Sequence, residues 1–512
     1  MIIRDIEKVL SHEFSSKELT TSANPINTQS HCDCLCEKEI TGVSFDSRTV
    51  EEGHIFVAIK GLKSDGHKFI PSAIEKGAIA IVCEDVKQYS LFKAQYANVY
   101  FCLVKNARIA LSLVSCEFYD NCTKDLCLIG ITGTKGKTST SFMIARILRE
   151  SGKKVGIIGT TGAYCDGFYE EMEHSTPESR DLYRLFFEMR NQGVTHIVME
   201  VSSQAILMNR VYGMHFDTAI FTNITPDHIG EGEHSDFEDY LYCKGKLFSM
   251  CTNAAINIDS DKAGYILDIC RSNNVKVYTF ALSDKNADFV AKNEQFFIKD
   301  GMRTKYELCT KDGKCYEIEV SVPGKFSVFN SLCACTVGAI YNTSIADMQK
   351  ALCDVKVIGR IEPVPNEYCK APVIIDYAHN AVSLESLFTA VGAYSPKRMI
   401  CVFGCGGNRS KLRRYEMGEI SGKYADISVI TTDNSRFEEL DDIIADILVG
   451  MKKTDGKYVI IKDRLEAIHH AMRIAEEGDI VLLAGKGQET YLDIKGVKTH
   501  FDEREAVASF KE

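Results

Sequence analysis

The chain has 512 residues, several times what one hydrophobic core organises, so two to four domains are expected and three is the working number. Its 45% hydrophobic and 26% charged residues are globular proportions and exclude a mainly disordered or collagen-like chain. With 60 Lys+Arg against 71 Asp+Glu the formal charge is −11, which disfavours nonspecific attachment to nucleic acid or anionic membrane and leaves anionic ligands in need of a local basic site.

The N-terminal MIIRDIEKVLSHEF turns charged too soon for a signal peptide, and no apolar run is long enough to span a bilayer. A cytoplasmic protein that is not membrane-embedded is expected, with its 20 cysteines reduced and most of them buried as small apolar side chains. The polar stretch 15–38 reads as an inserted loop. Its Cys32, Cys34 and Cys36 are spaced C-x-C-x-C rather than in the C-x2-C pairs of structural zinc sites.

Up to residue 118, short β-like runs such as HIFVAIKG (54–61) and AIAIVCED (78–85) alternate with Gly- and Asp-bearing turns, predicting a small α/β domain. Over 119–355 the apolar runs LCLIGI, KVGIIGT, HIVMEV and TAIFTNI alternate with amphipathic helices, which predicts a mostly parallel sheet. Within it, 265–322 reads as an antiparallel appendage. Over 356–512 the strand-then-helix theme returns in VIIDYAH, MICVFGCGG, ISVITTDN and IVLLAGKG, with polar residues where each run ends. That is where ligands bind in open α/β sheets. The fold class is therefore α/β in three domains, the last of them Rossmann-like.

The sharpest chemical signal is Gly130-Ile131-Thr132-Gly133-Thr134-Lys135-Gly136-Lys137-Thr138-Ser139, between a β-run and the helix-like TSTSFMIARILRESG. A Gly-rich turn opening a helix presents backbone N–H groups and a dipole to phosphates. Lys137 can reach the outer phosphates of a nucleotide, and the Thr138 hydroxyl can coordinate Mg²⁺. Glu200 and His228 end or follow later strands, where a carboxylate and an imidazole could hold metal ions on a γ-phosphate.

Ile131 breaks the common G-x-x-x-x-G-K-[ST] spacing, and the G-T-x-G-K-T form resembles the Mur ligase superfamily. Across its whole length the chain resembles the MurE-type branch, which adds the third residue of the peptidoglycan stem. The resemblance implies a uridine-nucleotide domain at 1–118, a central ATP-binding domain at 119–355 and an amino-acid-binding domain at 356–512. It places Ser47 and Arg48 of Asp46-Ser47-Arg48 near UDP. Ser175, Thr176 and Pro177 of His174-Ser175-Thr176-Pro177-Glu178, with Ser202 and Arg210, would contact the muramoyl dipeptide.

The same resemblance assigns ATP to Gly133, Thr134, Lys135, Gly136, Lys137, Thr138 and Ser139, with Asn330, Arg360 and His379. It makes Lys244, in Asp239-Tyr240-Leu241-Tyr242-Cys243-Lys244, a CO₂-derived carbamate (an N6-carboxylysine) that joins Thr138, Glu200 and His228 in holding Mg²⁺. Lys246 lies close to it in sequence. Lys137, Glu200, His228 and Lys244 form the catalytic set. Arg409, Asp433, Asn434, Arg436, Gly485 and Glu489 would bind the incoming amino acid, with Arg436 gripping the extra carboxylate of meso-diaminopimelate in a two-pronged contact.

Ser435 stands for the family's Pro, Gln488 and Gln204 for His, and Gly230-Glu231-Gly232-Glu233-His234 resembles a branch that includes lysine-adding enzymes. The implied activity is ATP-dependent amide formation on UDP-N-acetylmuramoyl-L-alanyl-D-glutamate by a monomer acting on small molecules. L-lysine addition, another ligase of the superfamily (folylpolyglutamate or cyanophycin type) and a noncatalytic ATP-binding paralogue are the alternatives.

Overall fold

Short apolar runs flanked by turn-forming residues fold as strands throughout the chain, and helices cover the sheets they build. The structure, a computed structural model, describes residues 1–15, 33–61, 64–227, 229–230, 233–298 and 301–511. The chain divides into two units, Met1–Lys137 with Gly152–Tyr278 and Thr138–Ser151 with Thr279–Glu512. Among the described residues no helix is long and apolar enough to cross a membrane.

The first unit begins with a parallel sheet in the order β1 (Gly42–Ser44), β2 (His54–Val57), β3 (Ala80–Cys83), β4 (Tyr100–Leu103). Ile3, Ile6 and Leu10 recur at helical spacing on the helix Ile3–Ser15 and pack with Val43, Ile55 and Val57 on one face of this sheet. Phe56, Ile81 and Phe101 fill the other face. Burial on both sides explains why β3 reads as a continuous apolar run. Of the expected 15–38 loop, residues 16–32 (with Cys32) lie outside the described residues, whereas Asp33–Cys36 form a helical turn in which Cys36 is buried.

The second sheet of this unit is built on β5 (Cys127–Thr132), β6 (Val155–Gly159), β7 (Gly162–Cys165), β8 (Phe168–Glu170), β9 (His196–Glu200), β10 (Phe216–Phe221) and β11 (Cys251–Asn257). Their order is β11-β10-β5-β9-β6-β7-β8, with β6 to β8 antiparallel at one edge and the rest parallel. Ile131 pairs with Glu200, and Phe221 with Thr132. That register brings the carboxyl ends of β5, β9 and β10 to one edge, the edge where ligands bind in such sheets.

In the second unit β12 (Lys276–Ala281), which straddles the unit boundary, pairs in parallel with β13 (Phe289–Ile298) at Phe280 and Phe289. β13, β14 (Met302–Thr310) and β15 (Cys315–Val320) form the expected antiparallel ribbon. The interval 265–322 is not purely strand, since it also includes most of the helix Ala263–Ser272. Cys309 and Cys315 face each other across β14 and β15 and are joined as a disulfide, against the expectation that all cysteines are reduced. Direct cross-strand pairing sets their Cα atoms 4.1 Å apart, within bridging reach.

The last sheet has the order β16 (Glu362–Val364), β17 (Val373–Asp376), β21 (Ile480–Ala484), β18 (Met399–Phe403), β19 (Ile427–Ile430), β20 (Lys457–Ile460), parallel except for β16. Inserting β21 between β17 and β18 sets their carboxyl ends side by side. A buried ion pair holds this edge: Arg464 donates to Thr432 O (2.8 Å) and Ala484 O (3.0 Å), just beyond β19 and at the end of β21, and to Glu503 Oε1 (2.7 and 2.9 Å).

Both partners of that pair are at most 1% exposed. Glu503→Ala therefore leaves a guanidinium buried without its carboxylate and is expected to cost about 3–5 kcal/mol. A chemical denaturation curve unchanged from wild type would contradict this.

Candidate active site

The loop after β5 turns back at Gly133 (φ +149°) and Gly136 (φ +87°), conformations that side chains with a Cβ rarely adopt. A Cβ on Gly133 would stand 2.0 Å from Thr222 Oγ1, so glycine is required for fit as well as for conformation. The segment after β10 braces this turn. Thr134 N donates to Asn223 O (3.0 Å), Lys135 N to Asn223 Oδ1 (2.9 Å), and the Thr222 hydroxyl (2.8 Å) and Asn223 Nδ2 (2.9 Å) to Lys135 O. The helix Lys137–Glu150 starts directly afterwards, as a phosphate-cradling turn requires.

Lys137 folds back over the turn and donates to Gly133 O (2.8 Å) and Thr134 O (3.2 Å). Lys244, on the helix Phe237–Lys246, donates to the same Gly133 O at 3.0 Å. Its amine is buried, 4.5 Å from the centre of the Tyr240 ring, while Lys246 is exposed over Tyr242. The structure thus separates two lysines that sequence spacing left close. Burial, and then the charge of Lys137, push the Lys244 amine well below its ordinary pKa.

Glu200, at the end of β9, is 1% exposed, and its carboxylate accepts from Thr160 N and Thr160 Oγ1, both at 3.0 Å. Magnesium takes oxygen ligands. The buried Glu200 carboxylate in the first unit has that chemistry, and so, in the second unit, has the Thr138 hydroxyl. Lys244 as an amine offers no oxygen, so it would take part only as a carbamate. His228 lies outside the described residues.

Beside Glu200, the Thr176 hydroxyl donates to Glu200 O (2.9 Å) and accepts from Ser202 N (3.1 Å), while Ser202 Oγ caps the short helix Ser203–Leu207 through Ala205 N. Ser175 and Pro177 flank Thr176 in sequence. Arg210 donates to Thr176 O (2.9 Å) and to Glu178 Oε1 (3.0 Å), and Arg108 closes on the same carboxylate at 2.8 and 3.0 Å. Two guanidinium groups thus hold Glu178. In the first sheet Arg48 grips Asp46 through Nε and Nη2 (2.6–3.0 Å), holding that carboxyl below its usual range, and Asp46 caps the turn that carries Ser47.

In the second unit, Asn330 on the helix Lys325–Ile340 accepts from the Thr140 hydroxyl at 3.3 Å. Asp376 ends β17 buried, and its oxygens accept from Ile361 N and Ala378 N, both at 2.8 Å. Arg360 lies over the Tyr377 ring (5.1 Å), and His379, whose pKa burial lowers, packs 4.7 Å from the same ring. The ends of β17, β18, β19 and β21 carry the remaining candidates. Arg409 is exposed and Arg436 half-buried, both beside Gly406, and Arg436 donates to Gly407 O at 2.7 Å.

Arg414 fixes this loop from below, pairing at 1% exposure with Glu438 (2.7 Å) and Asp446 (2.9 Å). Asn434 Nδ2 donates to Glu489 Oε2 at 2.8 Å, Asp433 is buried next to it in the chain, and a Cβ on Gly485 (φ +114°) would stand 2.8 Å from Asp433 Oδ2. The structure therefore groups Lys137, Glu200, Lys244 and the Thr176–Arg210 network in one unit. It groups Arg409, Asp433, Asn434, Arg436, Gly485 and Glu489 in the other. Sequence reasoning missed Arg108, Arg414 and Lys486. Only Lys486 had a visible signal, a lysine between two glycines at the end of the run IVLLAGKG.

Three family models match the chain: Mur ligase family, catalytic domain (residues 39–119), Mur ligase middle domain (131–338) and Mur ligase, glutamate ligase domain (359–487). The chain is similar to the UDP-N-acetylmuramoyl-L-alanyl-D-glutamate--2,6-diaminopimelate ligase of Caldanaerobacter subterraneus, at 41% identity over 472 residues, 92% of this chain and 94% of that protein. It is 40% identical to the ligase of the same name from Clostridium perfringens over 477 residues, 92% and 95% of the two. A solved structure of a 2,6-diaminopimelate ligase of that name matches with a TM-score of 0.68 and 25% identity, covering 99% of this chain and 98% of the other. A crystal structure of MurF from Acinetobacter baumannii shares the fold at 16% identity, with a TM-score of 0.62 over 94% and 95% of the chains.

Gly133→Ala forces both a strained backbone and a clash with Thr222, so ATP affinity measured by calorimetry is expected to fall at least about tenfold. Unchanged affinity would show that the turn does not bind nucleotide.

Proposed function

Because the chain belongs to the Mur ligase family, we propose that it is an ATP-dependent ligase joining 2,6-diaminopimelate to the D-glutamyl carboxylate of UDP-N-acetylmuramoyl-L-alanyl-D-glutamate. The observation that carries this reading is the near full-length similarity to ligases named for that substrate and that amino acid. Arg436 supports it: a guanidinium suits a second carboxylate, whereas the lone distal ammonium of L-lysine would be repelled. The product is a peptidoglycan precursor, made in the cytoplasm by a monomer. The domains are 1–118 for the uridine nucleotide, 119–355 for ATP and 356–512 for the amino acid.

A carboxylate has no group an amine can displace, so its oxygen first attacks the ATP γ-phosphorus and releases ADP, and the amine then attacks the acyl phosphate, losing a proton as phosphate leaves and the amide forms. The protein brings two anions together for the first step. The N–H groups of Thr134 to Thr138 and the Lys137 ammonium receive the ATP phosphates, with Lys137 turning from the carbonyls of Gly133 and Thr134 towards them. Ser139 continues that turn, Arg360 reaches a phosphate, and Asn330 and His379 complete the ATP contacts. Magnesium held through Thr138, Glu200, His228 and a carbamate on Lys244 would neutralise charge developing on the transferred phosphoryl group.

Lys244 supports that modification, since a neutral amine is the form that adds CO₂. Ser47 and Arg48 face the uridine nucleotide. Ser175, Thr176, Pro177, Ser202 and Arg210 orient the muramoyl dipeptide, and Arg409, Asp433, Asn434, Arg436, Gly485 and Glu489 orient the attacking amino acid. Positioning and charge stabilisation carry the rate.

ADP release with UDP-muramoyl dipeptide should be faster with diaminopimelate than with L-lysine or L-ornithine, and a preference for L-lysine overturns the amino-acid assignment. Lys137→Ala should abolish turnover. Lys244→Ala should abolish it too, with partial recovery on adding short carboxylic acids, and no recovery counts against the carbamate. Arg436→Lys should raise the KM for diaminopimelate about tenfold while leaving the KM for ATP unchanged; unchanged diaminopimelate kinetics remove that contact.

A further inference from the structure

Lys486 has no part in the mechanism above, yet its side chain is fully buried at the edge of the amino-acid site. It follows β21 between Gly485 (φ +114°) and Gly487 (φ +54°), left-handed positions that let the chain reverse twice within three residues. Its ammonium donates to Asn434 Oδ1 (3.1 Å), Glu489 Oε2 (2.8 Å) and Tyr491 O, and it lies 5.0 Å from the centre of the Tyr491 ring. An ammonium has three N–H bonds, and three acceptors take them. Lys486 therefore has no donor left for a substrate and can act only through its neighbours.

Those neighbours are the residues assigned to the incoming amino acid. Asn434 Oδ1 accepts from both Lys486 and Asp493 N (2.9 Å), which fixes the amide orientation and aims Nδ2 at Glu489 Oε2. Glu489 Oε2 is thus held by a cation and an amide, and Oε1 faces the Tyr377 hydroxyl at 3.4 Å. The ion pair also cancels one of the carboxylates in the group. Arg409, Arg436 and Lys486 stand against Asp433, Glu489 and Asp493, the last bonded through its N–H to the same Asn434 oxygen, so without Lys486 the group would carry one excess negative charge. The buried Arg464–Glu503 pair nearby adds no net charge.

We propose that Lys486 is a positioning residue that also determines specificity: its buried ammonium holds Glu489 and Asn434 in place and offsets a carboxylate that would otherwise leave the site net negative, so that an amino acid bearing a second carboxylate is preferred over one bearing a lone distal ammonium. This deepens, and rests on, the functional reading above. Charge complementarity of this kind selects by repelling the wrong ligand as well as by attracting the right one.

The test uses the full-length enzyme with ATP, UDP-muramoyl dipeptide and either diaminopimelate or L-lysine. In Lys486→Met the KM for diaminopimelate should rise at least about tenfold and the preference for diaminopimelate over L-lysine in kcat/KM should fall by a similar factor, with the KM for ATP within about twofold of wild type. Unchanged diaminopimelate kinetics, or equal rises in KM for all substrates as from a general structural defect, overturn the proposal. Should Lys486→Met fail to fold because Glu489 is left unpaired, Lys486→Gln removes the positive charge alone while its amide can still donate to Glu489. That variant must show the same loss of preference, and a wild-type preference in it overturns the proposal. Wild-type enzyme that turns over neither amino acid overturns the functional reading and this inference together, whereas a normal wild type with an indifferent Lys486 overturns this inference alone.

Discussion

Lys137 and Lys244, from different helices, meet at one backbone oxygen, the carbonyl of Gly133, at 2.8 and 3.0 Å. The proposed chemistry depends on that convergence, because such a ligase must bring a carboxylate and a triphosphate together against their mutual repulsion. One lysine lies over the Gly-rich turn and the other is buried beside it. The parallel register of β5, β9 and β10 makes the meeting possible, since it aligns the turn, Glu200 and the bracing segment 222–225 along one sheet edge. Gly133 completes it, because any Cβ there would strike Thr222.

The second unit solves a different problem with the same architecture. The amino-acid site proposed there would recognise its ligand by charge, and flexible loops would blur that recognition. Ion pairs built on buried cations stiffen the edge instead: Arg414 with Glu438 and Asp446 by the Gly404–Gly407 loop, Arg464 with Glu503 by the ends of β19 and β21, and Lys486 with Glu489. Such pairs contribute little net stability, because desolvating the charges offsets their attraction. Their effect is geometric, since each fixes backbone carbonyls or side chains that would otherwise move.

Much of this was legible in the sequence. Apolar runs ending in Gly, Asp or Asn located the strands, and the turn from Gly130 to Thr138 announced a phosphate site because glycine, lysine and a hydroxyl at that spacing have few other uses. What stayed hidden was pairing. Nothing local says that Arg108 meets Glu178, 70 residues away, or that Arg464 meets Glu503, because long-range ion pairs are set by how sheets stack and not by neighbours in sequence. The Cys309–Cys315 bridge was missed for the same reason: the cellular redox argument concerns cysteines in general, whereas cross-strand register decides which two meet. Arg48 was expected to face the uridine nucleotide, and the structure adds that it is already gripped by Asp46, a contact two residues apart that a turn, not a motif, creates.

The central claim is that ATP docks on the turn held by these two lysines. A crystal structure with a non-hydrolysable ATP analogue and magnesium tests it most directly. The account predicts the β- and γ-phosphates on the N–H groups of residues 134–138, with Lys137 moved from the Gly133 and Thr134 carbonyls onto phosphate oxygen. A nucleotide bound elsewhere, with both lysines still on Gly133, would contradict it.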